Sequence, residues 1–490
     1  MKQLQPAAKK LEDNLDFIKA KLGYGVTFDL IIREITVAEK RAALVFYDGF
    51  VNDNAVIEIM KRLLMVPRGG LAVNPAEHVL HDYLPYFEVS CVDDLMEACG
   101  EVLAGPMLLF IDGLAKVFVI DVRQYQVRSM EEPDLERVTR GAREGFVETA
   151  LFNVNLIRRR VRDPNLRFEV LTVGTRSRTD IMVGYIADIA NPQIVAEVKE
   201  RINHIDRDAL PMGGKNLEEY ILGTKINPLP VTRYTERPDV AAAHLYEGHV
   251  VIIVDTTPFA LIVPCTIWHF TQHAEEYFQN PPVGTYLRWV RTAGIALSLL
   301  LIPAWYLLAT TEQLPEWISF IGPKEPGRVP LWLQFLMLEI GLDLLRMALV
   351  HTPNALATSL GLVGAILLGE LAIETGLFTA EAILYTALVA VGTFATPSLE
   401  LSLALRLFRY FLFVASVLFR WWGLAGALLV SVLIMGLTRS FGVPYLWPLI
   451  PLDWPALLRV IFRYPIPNVS VRPRMTKPGD IRATPRHKRR

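Results

Sequence analysis

Leu331-Trp332-Leu333-Gln334-Phe335-Leu336-Met337-Leu338-Glu339-Ile340-Gly341-Leu342-Asp343-Leu344-Leu345-Arg346-Met347-Ala348-Leu349-Val350 decides the fold. Its only side chains with strong polarity are Gln334, Glu339, Asp343 and Arg346. A helix of about 20 mostly apolar residues matches the thickness of a bilayer core. Lipid offers no partner for loose backbone groups, so a segment of this kind crosses as a helix. Five more apolar blocks surround it, at 287–308, 356–373, 378–395, 407–419 and 422–438. The last two are short for full spans and read as a broken pair, a re-entrant hairpin or one long bent helix. Four to six spans are expected.

Charge divides the chain at the same place. Residues 1–285 carry 71 Asp, Glu, Lys and Arg, and residues 286–438 only 17. The first part has the charge density of an ordinary soluble protein, the second that of a membrane domain. The net charge of -1 over 490 residues hides this division. Basic residues form no nucleic-acid face outside the C-terminal tail. Three cysteines, Cys91, Cys99 and Cys265, are an odd number without metal-ligand spacing, which points to structural thiols in a reducing compartment. No apolar leader follows Met1, so the soluble part is expected to stay where it is made.

The soluble part reads as two α/β subdomains, giving an α+β region ahead of an α-helical polytopic domain. Residues 1–128 form the first. Strand patterns at Val26–Val37 and Ala42–Tyr47 precede a helical stripe over Asp53–Met65, and Met107–Asp112 pairs with Lys116–Val122 across Gly113. Residues 129–144 are charged and read as a linker. The second subdomain spans 145–285. It has a helix near Gly145–Val161, strands at Arg167–Thr175 and Asp180–Ile186, and a helix from Gln193 to Ile205. Asn191-Pro192 starts that helix, because Asn caps it and Pro costs no hydrogen bond in the first turn. Leu245–Val254 and Phe259–Val263 read as a hairpin, and His269–Phe278 as a juxtamembrane helix. The membrane domain is 286–438, and 439–490 reads as a basic cytosolic tail.

Lys/Arg excess marks the cytoplasmic side of a membrane. With the soluble part inside, Arg288, Arg291, Arg346, Arg406, Arg409 and Arg439 fall near the inner face. Residues 472–490 hold eight Lys/Arg against Asp480. Such a tail, ending in Arg486, Lys488, Arg489 and Arg490, reads either as a solvated orientation signal or as a lipid contact, drawn to anionic lipid by roughly 1 kcal/mol per basic residue near the surface.

Glu339, Asp343 and Arg346 share one helix face, as do Glu370 and Glu374. Ionisable groups at membrane depth cost several kcal/mol unless paired or wetted. Glu339, Asp343, Glu370 and Glu374 are therefore candidates for a monovalent-cation path. The structural alternative pairs Glu339 or Asp343 with Arg346 and leaves Glu374 and Glu400 at the lipid–water boundary. Gly361, Ala365 and Gly369 recur every four residues and allow close helix packing.

No enzyme chemistry emerges. Pro211–Lys215 lacks the spacing of a phosphate loop. His269, His273 and Glu276 lack the arrangement of a zinc protease. No nucleophile set, redox pair or dinucleotide fingerprint is visible, and no cofactor or metal is expected.

Gly141-Ala142-Arg143-Glu144-Gly145-Phe146-Val147-Glu148-Thr149, with Asn155-Leu156-Ile157-Arg158-Arg159-Arg160, resembles the block opening the second soluble subdomain of GerA-family A subunits. Ile189-Ala190-Asn191-Pro192, Leu245–Val250, Phe259–Pro264 and Glu275–Arg288 match later blocks in order. One departure is Ala142, where the family usually has Pro. The resemblance implies the inner membrane of a bacterial spore, with the soluble part facing the cytoplasm or spore core. It implies a homo-oligomer, a pentameric ring around a pore, and release of monovalent cations at germination. A receptor-type member works with a nutrient-binding B subunit and a C lipoprotein. Val26–Leu30, Arg33-Glu34 and the basic tail resemble instead the type that amplifies germination with another membrane partner.

Overall fold

The computed structural model describes residues 4–71, 74–84, 88–124, 133, 136–223, 226–311, 322–324, 327–351 and 372–484. The expected packing stripe Gly361, Ala365, Gly369 lies outside these residues. So do Glu370 and the tail residues Arg486, Lys488, Arg489 and Arg490.

The first α/β unit is a five-stranded antiparallel sheet. Its strands are β1 (Leu30–Val37), β2 (Lys40–Tyr47), β3 (Val89–Val92), β4 (Met107–Ile111) and β5 (Val117–Ile120), in the order β1-β2-β4-β5-β3. The interior strand β4 reads Met-Leu-Leu-Phe-Ile and is buried at every residue, as a strand covered on both faces must be. Helices α1 (Leu11–Leu22) and α3 (Leu95–Ala104) cover one face, and α2 (Asp53–Leu64) the other. Asn52 caps α2, its side chain accepting from the Ala55 N–H at 3.1 Å.

The second unit repeats this plan. Strands β6 (Leu166–Val173), β7 (Thr179–Ile186), β8 (Arg233–Thr235), β9 (Val250–Val254) and β10 (Ala260–Val263) run in the order β6-β7-β9-β10-β8. Helices α4 (Ala150–Arg160) and α7 (Pro238–Tyr246) lie on one face, α5 (Pro192–Asn203) and α6 (Gly214–Leu222) on the other. The strand expected from Leu245 begins only at Val250, because Pro238 at the first turn starts a helix that continues to Tyr246. The single helix expected over His269–Phe278 is two short ones, Ile267–Thr271 and Glu275–Phe278, separated by extended backbone at Gln272.

Residues expected to form a linker are partly bound to the second unit. The Glu136 carboxylate accepts from Thr235 at 2.5 Å and from Arg233 at 3.2 Å. Buried cationic and hydroxyl groups there need an acceptor, and Glu136 supplies it.

The apolar helices follow: α8 (Pro281–Ala309), α9 (Leu331–His351) and α10 (Ala380–Phe394). A helical stretch then runs from Leu399 to Leu437, but Arg420 has φ 51 and ψ -137, which no helix accommodates. The stretch is two antiparallel helices, α11 (399–419) and α12 (421–437). Leu412 packs with Leu424 and Ala427. Ile434 and Met435 pack against the cluster that holds Leu401 and Leu405. A straight 39-residue helix would hold those pairs tens of ångströms apart at about 1.5 Å per residue. Of the three readings open for the last two apolar blocks, the fold-back excludes one long bent helix.

The C-terminal stretch folds back rather than trailing as a tail. The Ser440 hydroxyl donates to the Val231 carbonyl at 2.7 Å and accepts from the Cys265 N–H at 3.0 Å. Tyr445 is fully buried in the core of the second unit. A last helix, α13 (Trp454–Ile461), is capped by Asp453 and lies against the start of α8. Leu457 is its buried residue, and Arg288 on α8 binds the carbonyls of its last turn.

Candidate ion-pair site in the helix bundle

Glu339 and Asp343 are one turn apart on α9, so they point the same way. Arg406, Arg409 and Tyr410 share a face of α11 for the same reason. The two faces meet. Arg409 Nη2 donates to Glu339 Oε2 at 2.6 Å and Nε to the same oxygen at 3.2 Å. Arg406 pairs with Asp343, and the Tyr410 hydroxyl donates to Asp343 Oδ2 at 2.9 Å. Arg409 Nη1 also donates to the Ser298 carbonyl on α8 at 2.7 Å and to the Thr393 hydroxyl on α10 at 3.4 Å. One guanidinium thus ties four helices together. Glu339 Oε1 is buried without a hydrogen-bond partner among the described residues.

Arg346 is not the partner of either acid. It lies one turn further along α9 and lines a cavity of about 660 Å³ at the soluble-unit end of the bundle, shared with Arg233, Arg291, Thr396 and Glu400. Glu374 is exposed at the end of the short helix Ala372–Glu374. Glu400 accepts from the Ser398 hydroxyl at 2.7 Å in the first turn of α11. The structure therefore brings Glu339 and Asp343 together and leaves Glu374 apart.

A second buried cluster lies where α8 begins. Glu276 is fully buried and takes Arg288 Nε at 2.7 Å, with Arg291 on its other oxygen. A third joins the two α/β units. Arg158 on α4 grips Asp29 through Nε and Nη2, donates to the Thr27 hydroxyl at 2.7 Å, and stacks over Tyr47 at 4.3 Å. Sequence reading missed Arg406 and Arg409 as partners. Their three-residue spacing in an apolar block was the available signal.

The histidines at 244, 249 and 269 converge, with ring centroids 5.0, 5.2 and 5.5 Å apart. Burial holds His249 down to about 4 and pushes His244 and His269 well below the usual histidine range. They are neutral packing groups at pH 7. No cluster of metal-ligand side chains occurs among the described residues. Lys215, expected in a glycine-rich loop, lies in the first turn of α6 and is bound to Glu218 at 2.7 Å.

Two α/β units of one plan, set on apolar helices cross-tied by buried ion pairs, define a protein built to couple a soluble body to a helical bundle. α8, at 29 residues, is long and apolar enough to cross a membrane. The chain belongs to the Bacillus/Clostridium GerA spore germination protein family, whose profile matches residues 16–475. It is 43% identical over 466 residues to stage V sporulation protein AF of Bacillus subtilis (strain 168), covering 95% of this chain and 94% of that one. Spore germination protein KA of the same organism is 31% identical, over 91% of this chain and 83% of that one. GerLA of Bacillus cereus is 29% identical, over 98% and 99%. Among solved structures, the N-terminal domain of the A subunit of the Bacillus megaterium germinant receptor GerK3 is 27% identical. It covers 54% of this chain and 98% of that one, with a TM-score of 0.41.

Proposed function

We propose that this protein is an oligomeric subunit of the spore inner membrane that releases monovalent cations and amplifies germination. In this reading copies assemble as a pentameric ring, the soluble units face the cytoplasm or spore core, and other germination membrane proteins act as partners. The basic tail meets anionic lipid. Membership of a germination family supports the setting. The observation that carries the mechanism is the pairing of Glu339 and Asp343 with arginines on a different helix.

Paired, the acids are neutralised and the bundle is closed to ions. Rotation of α11 against α9 parts Arg409 from Glu339 and Arg406 from Asp343. The bared carboxylates then attract cations along the opened path. Glu370 and Glu374 extend that path in the proposal.

The test is ion flux from liposomes holding the full-length protein. Arg409→Gln is expected to raise potassium efflux, and Glu339→Gln with Asp343→Asn to lower the preference for cations over anions. Conductance and selectivity that ignore all three substitutions would sink the role of these acids.

The same pairing favours one rival, a receptor A subunit that acts as a scaffold and conducts nothing. Wild-type protein that passes no ions yet binds partner subunits firmly would establish that rival.

A further inference from the structure

The face of the molecule around α13 exposes apolar side chains where a water-soluble surface would not. Trp454 and Ile461 are exposed on one stripe of α13, with the half-buried Leu458 between them at spacings of four and three, while Leu457 points inward. Trp454 is 61% exposed. The stripe continues before and after the helix, with Leu449, Ile450, Leu452 and Ile466 also exposed. The only acidic side chain within this stretch, Asp453, is occupied as the helix cap.

α13 is held at a definite height on α8. Arg288 Nη1 donates to the Arg459 carbonyl at 2.9 Å and to the Val460 carbonyl at 2.8 Å. Trp289 Nε1 donates to the Ile461 carbonyl at 3.0 Å, and the Trp289 ring meets Phe462 edge to face. These are carbonyls that the last turn of a helix leaves without partners. The side chains at the start of α8 satisfy them and fix α13 against it.

That height can be measured along α8. From Trp289 to Ala309 the helix rises about 30 Å, the thickness of a bilayer core. At the far end, Arg420 donates to the Thr310 carbonyl at 3.2 Å, and the exposed rings of Trp421 and Trp422 follow it. Tyr286 and Trp289 are exposed at the near end. Aromatic rings at both ends of a 30 Å apolar stretch are the mark of two membrane–water interfaces. α13 therefore lies at the near interface, with its apolar stripe outward.

We propose that residues 449–466 are an interfacial anchor, seated in the headgroup boundary of the same bilayer that α8 crosses, with lipid as the partner. The inference rests on the reading that α8 to α12 span a membrane. Its function is to fix the depth and tilt of the second α/β unit, which the same stretch of chain touches through Tyr445 on one side and Thr476 on the other. An interfacial helix buries its apolar face about 5–10 Å into that boundary.

The experiment uses the full chain in phosphatidylcholine–phosphatidylglycerol vesicles, with Cys91, Cys99 and Cys265 replaced by Ala. Single cysteines are placed at Leu452→Cys, Leu429→Cys and Ile226→Cys and labelled with an environment-sensitive fluorophore. Leu429 is 71% exposed on α12, and Ile226 is fully exposed on the second unit. Emission is quenched from lipids carrying a shallow or a deep nitroxide, and from water by iodide. The expected result is quenching at 452 by the shallow lipid and not by iodide, at 429 by the deep lipid, and at 226 by iodide alone. Iodide quenching at 452 with lipid quenching at 429 would overturn the anchor and leave the spanning helices standing. Protection at 452 from every quencher would overturn it too, because a neighbouring copy would then cover the stripe. Iodide quenching at both 429 and 452 would remove the spanning reading along with the anchor.

Discussion

The two α/β units share a frame and differ in what they carry. Their strand orders are the same when β1–β5 is laid on β6–β10. The likeness reaches single side chains. Asn14 closes on the backbone of Ala8, accepting from its N–H at 2.8 Å and donating to its carbonyl at 2.7 Å. Asn153 does the same to Val147 at 2.8 and 2.5 Å. Asp112 accepts from the first N–H of α1, and Asp255 from the first N–H of α4. The difference lies on the face covered by α1 and α3 in the first unit and by α4 and α7 in the second. In the first unit that core is made of the unit's own residues. In the second it also takes in Leu401, Ala404, Leu405 and Phe408 from α11. One frame thus keeps its core to itself in one copy and serves as the seat of the helix bundle in the other.

Four changes break or sharpen this contrast. The largest effect is expected at the joint between the units. Arg158→Ala leaves Asp29 fully buried without its cation, which costs about 3–5 kcal/mol. Hydrogen exchange on the full protein in detergent should show protection falling in β1 and α4. A loss under about 1 kcal/mol would mean the units hold together by other contacts.

Next come the matched asparagines. Asn14→Ala and Asn153→Ala each remove two hydrogen bonds between a buried asparagine and one half-buried loop residue, at about 1–3 kcal/mol apiece. Similar losses in the two units would support a duplicated frame, and a several-fold disparity would break it. The measurement is the local opening energy of α1 and α4 by exchange.

Acid separates the units by a smaller amount. His249 is depressed in the folded state to about 4, so its contribution is intact above the ordinary histidine range near pH 6.5. Stability is lost as pH falls from there toward 4, because only the unfolded chain takes the proton. Between pH 7 and 5.5 this one residue costs about 1 kcal/mol, and His244 and His269 act in the same direction. Glu247, raised by burial to about 7, acts oppositely and offsets part of the loss. The second unit should loosen at pH 5.5 before the first. Simultaneous loosening would mean the histidine cluster does not set the order.

The smallest effect is expected at Arg41, which meets Glu12 and Glu34 on the open surface of the first unit. Arg41→Gln should leave the thermal midpoint of the protein within error of the wild type, as exposed pairs usually do.

Strands and long helices were legible because their residues repeat with the period of the structure. β9 is an unbroken Val-Val-Ile-Ile-Val run, and α5 announces itself with Asn191-Pro192. β8 has three residues and no pattern to read. The duplication was hidden because the two copies keep a few anchoring side chains and little else. At the candidate site, helical spacing placed Glu339 and Asp343 on one face but could not say which helix faced them. Arg409 is 70 residues from Glu339 in the chain, and that distance closes only when α9 and α11 pack. Charge counting assigned Arg406 and Arg409 to an inner surface, whereas burial puts Arg409 at 3% exposure inside the bundle.

The core of the second unit joins Phe146 to Tyr445. A ribosome adds about 5–20 residues per second, so these two residues leave it roughly 15–60 s apart. The first unit has every residue of its core in hand long before that. The second must wait, the α4 and α7 face still open where α11 and Tyr445 will pack, until the entire helical region has been made. Its final closure is therefore a late event in the life of the new chain. During that interval the uncovered face is where a chaperone, or a misdirected copy of the same protein, finds its opening.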